Sequence, residues 1–263
     1  MQNAADIAPD ADVDQLHLFL EESEGPPRPG SSLGRQCGAI PEGLEPGPLE
    51  EREEVRVEDG LLYKGQWRGQ HRHGRGILAA SAAGAGRYEG EFRCSQAHGR
   101  GRYVSADGSE YDGEWHDGEK SGRGEERWPD GARHEGRFLL GMKHGPGTYR
   151  SAGGHQFEGQ FRQETMDGEG TYTFADGRRY VGQWRAGLMS GQGCMEWPDG
   201  SKYLGGYEKD VRNGEGALTW PDGAKFGGRW LDGAQHGTGV SVSAAGSERT
   251  GEWRHGKEVG AGA

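Results

Sequence analysis

The sequence predicts an all-β fold: an elongated single-layer antiparallel meander of β-hairpin repeats, roughly 18 strands, with a disordered acidic tail in front. Three recurring phrases predict it. The first, Tyr111-Asp112-Gly113-Glu114-Trp115, has nine copies, opening at residues 63, 88, 111, 134, 157, 180, 203, 226 and 249. The first step is 25 residues and every later one is 23. The second is His-Gly-x-Gly, as in His98-Gly99-Arg100-Gly101, with Ser121, Asp167, Ser190 and Asn213 replacing the histidine in other copies. The third is a turn, Asp107-Gly108 and its equivalents, which reads Trp-Pro-Asp-Gly at 128–131, 197–200 and 220–223. A fixed period of this length outranks other signals because each unit must bury its apolar side against its neighbours.

Each unit reads as two strands. In Tyr-x-Gly-x-Trp the first, third and fifth side chains share one face, because strand side chains alternate. A Gly-containing loop of six or seven residues follows, and then a second strand opening at His-Gly-x-Gly. Trp-Pro-Asp-Gly suits a type I turn closed by a left-handed glycine, a common hairpin connection. Hairpins throughout make the sheet an antiparallel meander. Val55 to Glu58 read as a leading strand, and the ninth unit stops early, as a cap would. The ring face should curve into a trough. At ~4.8 Å per strand, 18 strands would span ~85 Å.

The unit resembles the MORN repeat (membrane occupation and recognition nexus), over roughly residues 60 to 256. The resemblance implies a non-catalytic scaffold. Members of the family occur in cytoskeletal and ciliary assemblies such as radial-spoke heads, and as adaptors for motor tails. Others sit at membrane junctions or in lipid kinases, so an alternative is a membrane- or phosphoinositide-associating module. A targeting subunit of an enzyme complex is a further alternative. The resemblance places the chain in the cytoplasm, at a cytoskeleton, cilium or axoneme.

The composition agrees with a thin array. Only 31% of residues are apolar, and 52 of 263 are Gly, about three times average usage. The net charge of −11 is uneven. Residues 1–55 hold 13 acidic and 3 basic side chains, while the remaining 29 acidic and 28 basic ones nearly cancel. An acidic tail on a neutral array disfavours nucleic acid, and it weakens a purely electrostatic attraction to membranes. The three cysteines, Cys37, Cys94 and Cys194, lack a CxxC spacing and read as thiols in a reducing compartment. The N-terminus lacks a secretory leader's basic and apolar regions.

The domain boundaries follow. Residues 1–53 form an acidic, Pro- and Gly-rich tail with 7 of the 11 prolines, residues 54–259 the array, and 260–263 a short tail. Within the first segment, residues 12–22 place Val13, Leu16, Phe19 and Leu20 at helical spacing. That stretch reads either as a transient helix or as a helix docking on the array or a partner.

No chemistry stands out from the repeat. His73, His98, His144, His236 and His255 share one repeat position, so equivalents should lie two strands, ~9–10 Å, apart. Zinc ligands all sit ~2 Å from one ion, so no metal site is expected from that set. The Gly-rich phrases open no helix and lack the Lys-Ser/Thr of a phosphate loop. Ser, His and Asp recur in register, whereas a catalytic group needs one non-repeating constellation. Neither an enzyme nor a cofactor is therefore expected.

The remaining candidate is the ring face. Its members are Tyr63, Trp67, Tyr88, Phe92, Tyr111, Trp115, Phe138 and Phe157, then Phe161, Tyr180, Trp184, Tyr203, Tyr207, Phe226, Trp230 and Trp253. They form the thin core by packing on glycine. A single layer should also leave one side of each ring open to a partner protein. A second copy, joined through a sheet edge or end, is another expected partner, and membrane lipid ranks behind both. The opposite face, with Glu89, Glu91, Arg100, Arg102, Asp112, Glu114, Arg123, Glu125, Glu135 and Arg137, reads as solvated.

Overall fold

The computed structural model describes residues 47–57, 60–80 and 86–261. The described residues contain strands and turns only, in one 19-stranded antiparallel sheet. The chain divides into two compact units near residue 152. In the first, β1 (Glu50–Arg56), β2 (Leu61–Arg68), β3 (His71–Ala80), β4 (Arg87–Arg93) and β5 (Gln96–Val104) lead. They are followed by β6 (Glu110–His116), β7 (Glu119–Arg127), β8 (Arg133–Leu139) and β9 (Met142–Arg150). The second holds β10 (Gln156–Arg162), β11 (Thr165–Thr173), β12 (Arg179–Arg185), β13 (Leu188–Glu196) and β14 (Lys202–Glu208). It continues with β15 (Val211–Thr219), β16 (Lys225–Leu231), β17 (Ala234–Val242), β18 (Glu248–Arg254) and β19 (Lys257–Ala261).

Three details differ from expectation. The strand count is one higher, because Lys257–Ala261 pairs with β18 instead of ending the array as a bare cap. The leading strand starts at Glu50, so residues 50–53 belong to the sheet. The loop expected inside each unit shrinks to a two-residue turn, because the second strand opens before the His-Gly-x-Gly phrase. Cys37 and the helix expected over 12–22, with Val13, Leu16, Phe19 and Leu20, lie outside the described residues.

The two kinds of turn have different chemistry. The Asp-Gly turns are as the sequence predicts: Gly108 has φ +89 and its N–H donates to Ser105 O at 3.1 Å, while Asp107 Oδ1 accepts the Ser109 N–H at 2.8 Å. The inner turns after the first are primed, with positive φ at both residues, as at Asp117 (48) and Gly118 (87). Such turns match the strand twist. In seven inner turns the second N–H reaches back to the preceding hairpin, as Gly118 N does to Ala97 O at 2.9 Å. Three inner turns, Cys94-Ser95, Gln163-Glu164 and Lys209-Asp210, take positive φ at both residues without glycine.

Between the turns, the ladder slips. Gly65 pairs with Gly76, yet two residues on Trp67 pairs with Arg72. The bulge takes the Gln66 carbonyl out of the ladder, and the Tyr63 hydroxyl donates to it at 2.9 Å. The Gln66 side chain fills the other side of the bulge, where Oε1 accepts the Arg75 N–H at 2.9 Å. Tyr88, Tyr111, Tyr180 and Tyr203 repeat the hydroxyl bond. A tyrosine can reach that carbonyl only by lying flat across two strands. A Cβ on Gly76 would overlap the ring, and one on Gly65 would meet Gly76 Cα at 2.5 Å. The paired glycines are therefore a steric requirement of the ring.

Candidate functional site

The ring face is closed. All sixteen expected ring residues are at most 8% exposed, and Tyr63, Tyr180 and Tyr203 are at 0%. The expectation of rings open to a partner on one side is thus corrected. The cover comes from the residue paired with each Trp position. Arg72, Lys120 and Lys143 stand opposite Trp67, Trp115 and Phe138. Met166, Met189, Arg212 and Gln235 stand opposite Phe161, Trp184, Tyr207 and Trp230. All seven are buried, and the long stems of Arg and Lys cover rings as well as Met does. Arg212 Cζ sits 4.7 Å from the Trp230 ring centroid, and Lys120 Nζ 5.1 Å from that of Tyr111.

Beneath the cover, the rings meet edge to face from one hairpin to the next. Tyr63 meets Phe92 at 5.1 Å, Tyr88 meets Trp115 at 5.2 Å and Tyr111 meets Phe138 at 4.9 Å between centroids. In the second unit Phe157 meets Trp184, Tyr180 meets Tyr207, Tyr203 meets Trp230 and Phe226 meets Trp253. Each such pair adds ~0.5–1.5 kcal/mol beyond area burial. Trp115 Nε1 donates to Gly101 O at 2.9 Å, so the indole is satisfied inside the core. Burial raises the tyrosine pKa values, that of Tyr63 to about 12. These rings do structural work.

One place in this layer is charged. Glu126 occupies the position held elsewhere by Tyr103, Tyr172 or Leu218, and pairs with Tyr111 on one side and His134 on the other. Lys120 Nζ contacts its carboxylate directly, and Lys143 Nζ lies 3.9 Å away. Glu126, Lys120 and Lys143 are all at most 8% exposed. His134 takes a ring position at 0% exposure, and burial, then Lys143 and Lys120, push its pKa down to about 3.

The opposite face separates the two units. A single row crosses the strands at the second residue of each first-strand phrase. In the first unit it runs Lys64, Ile77, Glu89, Arg102, Asp112, Glu125, Glu135, Thr148. In the second it runs Glu158, Thr171, Val181, Cys194, Leu204, Ala217, Gly227, Val240, Thr250, uncharged after Glu158. Val181, Leu204 and Val240 are 38%, 59% and 38% exposed. Alongside this row lie Arg179, Lys202 and Lys225, with Glu196 between the first two. A shallow depression of about 560 Å³ opens at its start, lined by Gln156, Glu158, Thr171, Thr173, Arg179 and Val181. The solvated, charged face expected from the sequence is thus interrupted along this one row of the second unit, while Arg179, Glu196 and Lys202 beside it stay charged. The signal was legible: the second residue of Tyr-x-Gly-x-Trp is charged at 64, 89, 112, 135 and 158, then Val181, Leu204, Gly227 and Thr250.

Fold and faces together define a repeat protein of stacked β-hairpins, each laying a ring over a pair of glycines. The MORN-repeat family model matches nine segments: residues 63–79, 88–110, 111–133, 134–156, 157–178, 180–202, 203–225, 228–248 and 250–262. The chain belongs to the MORN-repeat family. No curated protein matches its sequence. Among solved structures, the chain is similar to the TCP domain of SAS-4 from Drosophila melanogaster, in complex with a proline-rich motif of Ana2. That match has 12% identity over 59% of this chain and 84% of that one, at a TM-score of 0.38. It is also similar to the G-box domain of the microcephaly protein CPAP, with 12% identity over 78% and 100% of the two chains and a TM-score of 0.40. Scores of this size do not establish a shared fold. No helix among the described residues is long and apolar enough to cross a membrane.

Proposed function

We propose that the protein is a non-catalytic scaffold that holds a partner helix against the outer face of residues 153–261. The observation that carries this is the uncharged row through Val181, Leu204 and Val240, on a face that is otherwise polar. The row runs across the strands: Val181 on β12 and Leu204 on β14 stand one hairpin, ~9.6 Å, apart, and Val240 on β17 lies three strands, ~14.4 Å, beyond Leu204. Seven residues of α-helix rise ~10.5 Å. A helix therefore sets apolar side chains one heptad apart over Val181 and Leu204, and a third about ten residues further over Val240. Arg179, Lys202 and Lys225 recur on the same beat along one side. The fitting partner is an amphipathic helix with acidic residues beside its apolar stripe.

The wider setting we propose is a cytoskeletal or ciliary assembly in the cytoplasm, supported by what MORN membership implies. The test uses a synthetic Leu-heptad helix with flanking glutamates. Wild type should bind it, and Val181→Lys with Leu204→Lys should weaken binding at least about tenfold, since each buried Leu or Val is worth ~1.5–3 kcal/mol. Equal binding by the variant would refute this face as the site. Binding only to anionic phosphatidylserine vesicles, lost in salt, would instead favour the membrane alternative.

A further inference from the structure

We propose that His98, His116 and Asp117 form a binding site for one divalent transition-metal ion of the Zn²⁺ type. The comparison of equivalent histidines, ~9–10 Å apart, misses this set, because the ligands come from different repeat positions on neighbouring hairpins. His98 stands on β5, one residue beyond the Gly99–Trp115 pair, so it faces His116 at the end of β6. Asp117 follows in the inner turn. The potential ligand atoms of the three all lie within 4.8 Å of one another. His98 Nδ1 is 3.4 Å from Asp117 Oδ1, and His116 Nδ1 is 3.5 Å from Asp117 Oδ2. Ligands ~2.0–2.1 Å from a tetrahedral zinc stand ~3.3 Å apart, a spacing the two Asp117 contacts already have.

The surroundings support a ligand over a chance cluster. His98 Nδ1 is buried and has no hydrogen-bond partner. The two imidazole rings are 5.1 Å apart between centroids. The turn is held to β5 by Gly118 N donating to Ala97 O at 2.9 Å, so the carboxylate is preplaced against His98. The repeat does not call for this combination: the position of His98 is also His at 73, 144 and 236 and is Ser121, Asp167, Ser190 or Asn213 elsewhere, but that of His116 is Arg93, Arg162 or Arg254 opposite the other three histidines. His236 and His255 also approach, at 5.9 Å, with Arg254 in place of a third ligand; the expectation that these two are repeat equivalents is corrected, since His255 takes the position of Asp117. Two neutral imidazoles and one carboxylate suit zinc, with the fourth position open to water or to a donor from another molecule.

The test titrates the full chain with Zn²⁺ against a chromophoric chelator, and with Co²⁺ for its absorption bands. One ion per chain should bind, with the visible bands of a nitrogen- and oxygen-ligated Co²⁺. His98→Ser and Asp117→Ala, residues the array already carries at 121 and 186, should each weaken Zn²⁺ binding about tenfold or more, since even outer-sphere changes cost that much. His236→Ser should leave it unchanged. Circular dichroism of each variant should match wild type. Undiminished binding in the double variant His98→Ser/His116→Arg, or loss on His236→Ser, would overturn the proposal. So would absence of binding by wild type at neutral pH.

Discussion

Glu126→Leu probes whether the array tolerates charge in its ring layer only because that charge is paired. The wild-type carboxylate touches Lys120 Nζ and lies 3.9 Å from Lys143 Nζ, and all three groups are buried. At an effective dielectric of ~20, a pair 3.9 Å apart attracts by about 4 kcal/mol. Most of that offsets desolvation, so the net worth of the cluster is small. Removing one member is different: it leaves the Lys120 ammonium inside the layer without its carboxylate, at a cost of about 3–5 kcal/mol. Lys120→Met/Glu126→Leu/Lys143→Met restores the apolar cover the array uses at Met166, Met189 and Leu218. That triple variant should be neutral or more stable by about 1–4 kcal/mol. The assay is urea unfolding followed by tryptophan fluorescence, with hydrogen exchange on β7 and β8, because repeat arrays can unfold in parts. An unchanged midpoint for Glu126→Leu would refute the argument. So would a triple variant less stable than the single one.

Three further outcomes are expected. Gly101→Ala puts a Cβ 2.6 Å from Tyr88 Cε2 and should cost about 1–3 kcal/mol of overpacking, whereas Gly227→Ala, with open space around its Cβ, should stabilise by about 0.4–1 kcal/mol; both are read by thermal unfolding. Burial pushes the His134 pKa down to about 3 in the folded chain, against an ordinary 6.5. Between these values the unfolded chain binds a proton the folded chain does not, so its contribution is full above pH 6.5 and falls about 1.4 kcal/mol per unit as pH drops through the window. His134→Phe should remove that slope while the groups facing it, Glu126, Tyr149, Lys120 and Lys143, remain; an unchanged slope would refute His134 as its source. Glu164→Gly relieves a left-handed turn residue at φ 74 and should raise stability by about 1 kcal/mol, seen as a higher denaturation midpoint.

The sequence alone determined the meander. A 23-residue beat, alternating ring and glycine, and Asp-Gly turns leave few other ways to bury the rings. Strand parity likewise put every ring on one face. Where the rings would be open and where they would be covered was not legible. That depends on the two-residue slip between the Gly65–Gly76 and Trp67–Arg72 pairs, which turns Arg72, Lys120, Met166 and Arg212 over the rings. A slip of register is a property of two strands together, and no single phrase carries it. The same holds for His98, His116 and Asp117, whose spacing in sequence is 18 and 19 residues and whose meeting is set by one primed turn folding back onto the neighbouring hairpin. The change from a charged to an uncharged outer row was written in the second letter of each phrase. Only the cross-strand pairing made it a continuous surface, because residues 23 apart in the chain become next-but-one neighbours when hairpins stack.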